Sequence, residues 1–254
     1  MAQLTVASDE IDLARQAAER ATALIERAVG MHGRALVSLT GGSTPRRLYA
    51  NLADGHQPWR NRIPWSDVHL FWGDERHVPP DHPESNYGMA KAALLDHIPI
   101  PAKHVHRIRG EMPIAADAAV DYEHTISNVV SGFSRTLPSG SSRTWLFDVM
   151  LLGVGDDGHV ASIFPGSELL ATHPPCRVAA VWAGHLNAWR ITLTPEAILD
   201  SQSIVVLVSG ERKAGAVHAA LNAPLDVKKC PAQLLRAADE RVEWLLDRDA
   251  ATLL

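Results

Sequence analysis

Residues 147–165, FDVMLLGVGDDGHVASIFP, limit what this chain can fold into more than any other stretch. An apolar run broken only by Asp148 stops at Gly153 and Gly155. A run of that length bounded by glycines fits a strand buried on both faces, as in the interior of a parallel sheet. Directly after it come Asp156, Asp157 and His159, set among glycines that allow a sharp turn and a close backbone approach. Two carboxylates and an imidazole there point to chemistry, because open α/β sheets bind ligands at the carboxyl edge. The glycines also match the dinucleotide fingerprint G-x-G-x-x-G. A pyrophosphate would then sit against two aspartates, and the acidic residue expected about twenty positions further on is missing. No Asp or Glu falls between Leu169 and Trp189. The reading without chemistry is a tight turn whose aspartates cap the next helix.

The same plan of strand, glycine turn and helix recurs. Residues 35–39 run into Thr40, Gly41, Gly42, Ser43, Thr44 and Pro45, followed by a helix carrying Leu48, Tyr49 and Leu52. With Thr44 as N-cap and Pro45 as the first helical residue, the turn aims free N–H groups and the positive dipole end outward. Ser43 and Thr44 add hydroxyl donors, so this turn is a ready anion site. No Lys follows in the P-loop pattern, which excludes that nucleotide motif. The strand at 68–72 ends in Gly73, Asp74, Glu75 and Arg76, and the strand at 203–208 in Gly210, Glu211, Arg212 and Lys213. Lys213 falls in a first helical turn, where a cation opposes the dipole; a nearby anion would explain it. Residues 177–182 and 188–192 read as strands, with Arg190 inside the second and Pro195 opening a short helix.

The remaining segments read as scaffold. A first helix spans 8–30, with Ser8 as N-cap, Gly30 as stop and Ile11, Ala14, Ala18, Ala21, Ile25 and Ala28 on one face. Residues 53–66 form a surface loop, a helix starts near Ser85, and helices cover 114–130 and 231–238 before a last strand at 242–246. The Ser- and Gly-rich residues 131–142 read as a mobile connection. Prolines between His77 and His82 exclude a helical metal pair, and no metal is expected.

A length of 254 residues suits one α/β domain or two small ones. One domain, 1–254, is preferred because the central strand carries residues that need those before it. A net charge of −5 without a basic run argues against nucleic acid or an anionic membrane as partner. Cys176 and Cys230 lack C-x-x-C spacing, and no leader or spanning segment is visible, so a reducing, cytoplasmic setting is expected.

Five segments in order, GGSTPRRLY at 41–49, GDERHVPPDHPESNYG at 73–88, GVGDDGHVASIFPG at 153–166, RITLTPEAI at 190–198 and SGERKAG at 209–215, resemble the 6-phosphogluconolactonase family. That family shares a superfamily with the glucosamine-6-phosphate deaminases. The resemblance implies a Rossmann-like, mainly parallel sheet with helices on both faces in a single domain. It implies hydrolysis of 6-phospho-D-glucono-1,5-lactone by a monomer whose partner is this small-molecule substrate, with no cofactor. Phosphate would rest on Gly41, Gly42, Ser43 and Thr44, with Arg190 and Lys213 as its cations. His159 would be the base that activates water, oriented by Asp157 or by Asp74. Arg76 would face the developing oxyanion, aided by N–H groups of the 153–158 turn around Gly155. Two other functions fit the same fold: an amino-sugar phosphate deaminase or isomerase, and a noncatalytic sugar-phosphate sensor. The deaminases carry Glu before the proline that follows D-G-H, where this chain has Phe164, and they usually show Asp-Glu-Tyr where it has Asp-Glu-Arg at 74–76. The sensor would need a DNA-binding module, for which an acidic chain starting on a scaffold helix leaves no room.

Overall fold

Short apolar segments alternate with helices along this chain, and that alternation builds a parallel sheet whose strands must be joined by crossovers. The computed structural model describes residues 2–134, 145–172 and 174–254. Its strands and helices follow in chain order: β1 (Gln3–Ala7), α1 (Glu10–His32), β2 (Ala35–Leu39), α2 (Ser43–Ala53), α3 (Trp59–Arg62), β3 (Val68–Trp72), β4 (Asp74–Arg76), α4 (Asn86–Ala93), α5 (Ala115–Ser134), β5 (Phe147–Gly153), α6 (Leu169–Thr172), β6 (Val178–Ala183), β7 (Ala188–Leu193), α7 (Pro195–Leu199), β8 (Ser201–Val208), α8 (Ala214–Leu221) and β9 (Val242–Asp247). Six strands form one sheet in the order β1-β9-β8-β5-β2-β3, and every pairing in it is parallel. Right-handed crossovers over that strand order set α1 and α2 on one face and α5 and α8 on the other. In keeping with this, α1 packs against α2.

The chain leaves this sheet at Gly73. Its N–H donates to the Leu39 carbonyl at 2.8 Å, and its own carbonyl accepts from the Leu193 N–H at 2.8 Å. One residue therefore hinges β3 of the large sheet to β4 of a second, antiparallel sheet ordered β4-β7-β6. The strands expected at 177–182 and 188–192 form the hairpin of this small sheet, outside the parallel one. One hydrophobic cluster runs through both, from Phe71, Phe147 and Val205 to Val178, Ile191 and Leu193.

Several local expectations shift. The cap of α1 is Asp9, whose carboxylate accepts from the N–H groups of Ile11 and Asp12 at 2.9 and 2.8 Å. Ser8 instead donates its N–H to Asp12, which ties the residue before the cap to the first turn. The helix runs past Gly30, where a side chain would have open space, and ends at the left-handed Gly33. Ile11 is exposed in the first turn, while Ala14, Ala18, Ala21, Ile25 and Ala28 are buried as expected. The cap of α2 is Gly42, so Ser43 and Thr44 are already helical. Residues 53–66 contain α3 and two buried tryptophans, Trp59 and Trp65, rather than loop alone. Strand β1 precedes the first helix, and its burial pattern is too open to read as a strand from sequence. Of the segment 131–142, residues 131–134 close α5 and the rest lie outside the described residues. Among the described residues, no helix is long and apolar enough to cross a membrane.

Candidate active site

The strands β8, β5, β2 and β3 are neighbours in the large sheet, so the turns at their carboxyl ends line one edge in that order. Those turns carry Lys213, then Asp156, Asp157 and His159, then Ser43 and Thr44, then Asp74 and Arg76 through Gly73. Sheet order thus gathers loops that lie far apart in the sequence.

After β5 the chain folds back so that the Gly155 N–H donates to the His159 carbonyl at 2.9 Å and the Gly158 N–H to the Gly155 carbonyl at 3.0 Å. The turn brings His159 Nδ1 to 2.6 Å from Asp157 Oδ1, and the same oxygen accepts the His159 backbone N–H at 3.1 Å. A carboxylate can only accept, so Nδ1 carries the proton and Nε2 presents a lone pair. Among the described residues Nε2 has no hydrogen-bond partner, and the ring is 31% exposed. It leans on Phe164, with ring centroids 4.7 Å apart. Burial raises the Asp157 carboxyl, but the N–H and ring of His159 outweigh it and hold Asp157 below the usual carboxylate range. A Cβ at Gly155 would stand 2.1 Å from His159 Nδ1 and 2.6 Å from Asp157 Oδ1. Gly155 is therefore glycine because the imidazole–carboxylate pair occupies the space of its missing side chain. Asp156 turns away to Lys213, 2.6 Å distant, and this ion pair lowers the Asp156 carboxyl.

The turn after β2 has Gly42 at φ 110° and ψ 170°, a conformation essentially reserved for glycine. It leaves the first N–H groups of α2 facing the edge, and no side chain caps them. Beneath it the Tyr49 hydroxyl donates to the Thr40 carbonyl and accepts the Thr40 N–H, at 2.8 and 2.9 Å, which fixes the turn to its own helix.

In the small sheet, Arg76 and Arg190 are direct cross-strand partners. Such neighbours have Cβ atoms about 5 Å apart. Among the described residues neither forms an ion pair; Arg76 donates to the Glu84 carbonyl at 2.7 Å and Arg190 to the Trp189 carbonyl at 3.1 Å. Arg76 Nε is buried without a partner. Burial, and then the charge of Arg76, lower the pKa of the Arg190 guanidinium. Two adjacent guanidiniums without an ion-paired acid among the described residues repel each other, and a dianion between them would offset that cost.

The sequence left two aspartates as candidates to orient His159, and the hydrogen bond belongs to Asp157. Asp74 is buried and occupied elsewhere, accepting from the Ser162 hydroxyl at 2.5 Å and from Asn86 Nδ2 at 3.2 Å. Gly41 is packed so closely on Asn86 that a Cβ would meet its Oδ1 at 1.9 Å, so it serves this buried contact. Several contributors escaped sequence reading. Glu75 is buried and accepts backbone N–H groups from Arg76, Asn86 and Tyr87, tying the start of α4 to β4. Asp247, at the end of β9, accepts from the Ser209 hydroxyl and the Gly210 N–H and so shapes the turn that presents Lys213. Only a residue type could have hinted at them, because their partners lie in other loops.

These features define a Rossmann-like α/β enzyme with an imidazole–carboxylate pair and clustered cations at the carboxyl edge of its parallel sheet. The family described as glucosamine-6-phosphate isomerases/6-phosphogluconolactonase matches residues 8–244. The chain is 37% identical over 247 residues to a 6-phosphogluconolactonase of Mycobacterium tuberculosis, covering 95% of this chain and 94% of that one. It is 36% identical over 226 residues to a 6-phosphogluconolactonase of Haemophilus influenzae, covering 86% and 87%. The solved structure of 6-phosphogluconolactonase from Trypanosoma brucei superimposes with a TM-score of 0.82 at 30% identity, over 100% and 99% of the two chains. A monomeric glucosamine-6-phosphate deaminase has the same fold, with a TM-score of 0.80 at 21% identity. This chain belongs to the glucosamine-6-phosphate isomerase/6-phosphogluconolactonase family.

Proposed function

We propose that this chain hydrolyses 6-phospho-D-glucono-1,5-lactone to 6-phospho-D-gluconate, the second step of the oxidative pentose phosphate pathway. The observation that carries the reading is the His159–Asp157 pair with a free Nε2, set on the same edge as the cations Arg76, Arg190 and Lys213. His159 Nε2 takes a proton from water as the water oxygen attacks the lactone carbonyl carbon. Asp157 holds the ring in the required tautomer and stabilises the imidazolium. Arg76 faces the oxyanion of the tetrahedral intermediate, while the Gly155 and Gly158 N–H groups stay bonded within their own turn. As that intermediate collapses, the bond to the ring oxygen breaks and the imidazolium returns its proton to the departing oxygen. Arg190, Lys213 and the N–H groups of Ser43 and Thr44, in the turn opened by Gly41 and Gly42, hold the phosphate. Lys213 exchanges Asp156 for the phosphate as it does so. The residues invoked need no metal or organic cofactor, and 1–254 acts as one domain.

The experiment follows formation of 6-phosphogluconate from freshly generated lactone, coupled to 6-phosphogluconate dehydrogenase, with a no-enzyme control because the lactone opens spontaneously. A wild-type rate well above background that collapses in His159→Ala supports the reading. A wild-type rate equal to background contradicts it and sends the test to ammonia release from glucosamine 6-phosphate. Phe164 disfavours that deaminase reaction, because it stands where the deaminases place a second carboxylate.

A further inference from the structure

Ser162 lies three residues beyond His159, on the far side of Ala161, which is held at φ 48° in the left-handed region. That conformation is unfavourable for a residue with a Cβ, so something must hold the loop in it. Ser162 does so twice. Its hydroxyl donates to Asp74 Oδ2 at 2.5 Å, and its backbone N–H donates to the Thr192 hydroxyl at 3.2 Å. Asp74 and Thr192 are cross-strand partners in β4 and β7. Two residues along the same ladder, and therefore on the same face, are Arg76 and Arg190. Asn86 closes the arrangement from α4, with Nδ2 shared between the Asp74 carbonyl at 3.0 Å and Asp74 Oδ1 at 3.2 Å. Asp74, Asn86, Ser162 and Thr192 are exposed by 6%, 2%, 1% and 0%. Substrate cannot reach a carboxylate so enclosed, and both of its oxygens are already bonded.

We propose that Asp74, Ser162 and Thr192 form a clamp that sets the distance between the His159 turn and the arginine pair, with Asp74 a positioning residue acting through Ser162. Hinging the catalytic loop to the anion-holding ladder fixes where the lactone carbonyl meets the base once the phosphate is seated. A loosened clamp leaves phosphate binding intact and lets the base wander. The loss then falls on kcat, since displacement of about 1 Å costs on the order of 10²-fold. The kinetic part of this inference rests on the lactonase reading; the placement of the His159 ring does not.

The test compares Ser162→Ala, Thr192→Val and Thr192→Ser with wild type and His159→Ala. Ser162→Ala and Thr192→Val are expected to lower kcat about 10- to 100-fold, with KM and the Kd of inorganic phosphate within about twofold of wild type. Thr192→Ser keeps the hydroxyl and is expected to retain wild-type kcat. The imidazole ring resonances of His159, followed by NMR, should broaden or split in the two disrupted variants and stay sharp in Thr192→Ser. If Ser162→Ala does not fold, the Thr192 pair decides alone. Unchanged ring resonances in the folded disrupted variants would overturn the clamp, whatever the substrate proves to be. So would KM and phosphate Kd worsening in step with kcat, which marks a general structural defect. A wild type inactive on the lactone but with ring resonances that respond as expected would refute the reaction and keep the clamp.

Discussion

The two charged regions of this site are built in opposite ways. Asp157 and His159 are neighbours in sequence, joined within one turn by a 2.6 Å hydrogen bond and given room by Gly155. Arg76 and Arg190 are far apart in sequence and meet only because β4 and β7 pair. The turn is satisfied as it stands: each charge there has a partner at hand. The arginine pair is not, because two like charges face each other without an ion-paired acid among the described residues. A satisfied group is poised for a reaction, whereas an unsatisfied one is poised for a ligand. That difference assigns proton transfer to the turn and the holding of negative charge, on the phosphate and on the oxyanion, to the ladder.

The largest effect that can break this division comes from the turn. His159→Ala is expected to leave the fold intact, by circular dichroism and thermal melting, and to lower kcat by about 10² to 10⁴-fold. A folded variant with unchanged turnover removes the imidazole from its role. Next comes Gly155→Ala, which changes no charged group but drives a methyl into the ring and the carboxylate. It should cost on the order of 10²-fold in kcat with KM little altered, and a crystal structure of the variant should show His159 displaced.

The ladder should respond in the other parameter. Arg190→Met is expected to raise KM about 10- to 100-fold, the worth of one charge-assisted hydrogen bond, while kcat stays close to wild type. Without ligand the same variant is relieved of the burial of a guanidinium and of its repulsion from Arg76, and its Tm should rise by about 2–4 °C, the equivalent of about 1 kcal/mol. Inorganic phosphate should raise the Tm of wild type and move that of Arg190→Met far less. Equal shifts in both would mean that Arg190 does not hold the anion.

The smallest effect separates loss of activity from loss of fold at acid pH. On β3, at the edge of the large sheet, His69 Nδ1 lies 2.9 Å from His106 Nε2, and His104 stacks on the His69 ring at 3.9 Å. Burial, and then the charges of His104 and His106, push His69 down to about 3; burial and His104 push His106 down to about 4. Both rings stay neutral in the folded chain at pH values where the unfolded chain protonates them. The unfolded state then binds more protons, so stability is full above a pH of about 6.5 and falls as pH drops through the interval below it. Denaturant midpoints measured from pH 7.5 to 5 should show this slope, and His69→Leu should flatten it. A slope untouched by that substitution would place the acid sensitivity elsewhere.

Most of the large sheet is legible in the sequence because each of its central strands is a short apolar run ended by glycine or charge. Residues 35–39, 68–72 and the run 147–152 read as strands for that reason, and β2 and β3 match residue for residue, while β5 extends to Gly153. The His159–Asp157 pair is equally legible, since its geometry is contained in one glycine turn. What escaped was long-range. Nothing in 188–192 says that this strand leaves the parallel sheet, and so the pairing of Arg190 with Arg76 could not be read. The helix caps moved by one to three residues, from Ser8 to Asp9, from Thr44 to Gly42 and from Gly30 to Gly33, because neighbouring residues could cap equally well. Ser162 carries no legible signal, because its partners Asp74 and Thr192 come together only through Gly73 and the small sheet.

The most direct measurement is kcat and KM for 6-phosphogluconolactone with wild type, His159→Ala and Arg190→Met in one series, each corrected for spontaneous opening. A kcat loss confined to His159→Ala with a KM rise confined to Arg190→Met is the expected result. Losses falling on the same parameter in both variants would contradict the division of labour between turn and ladder.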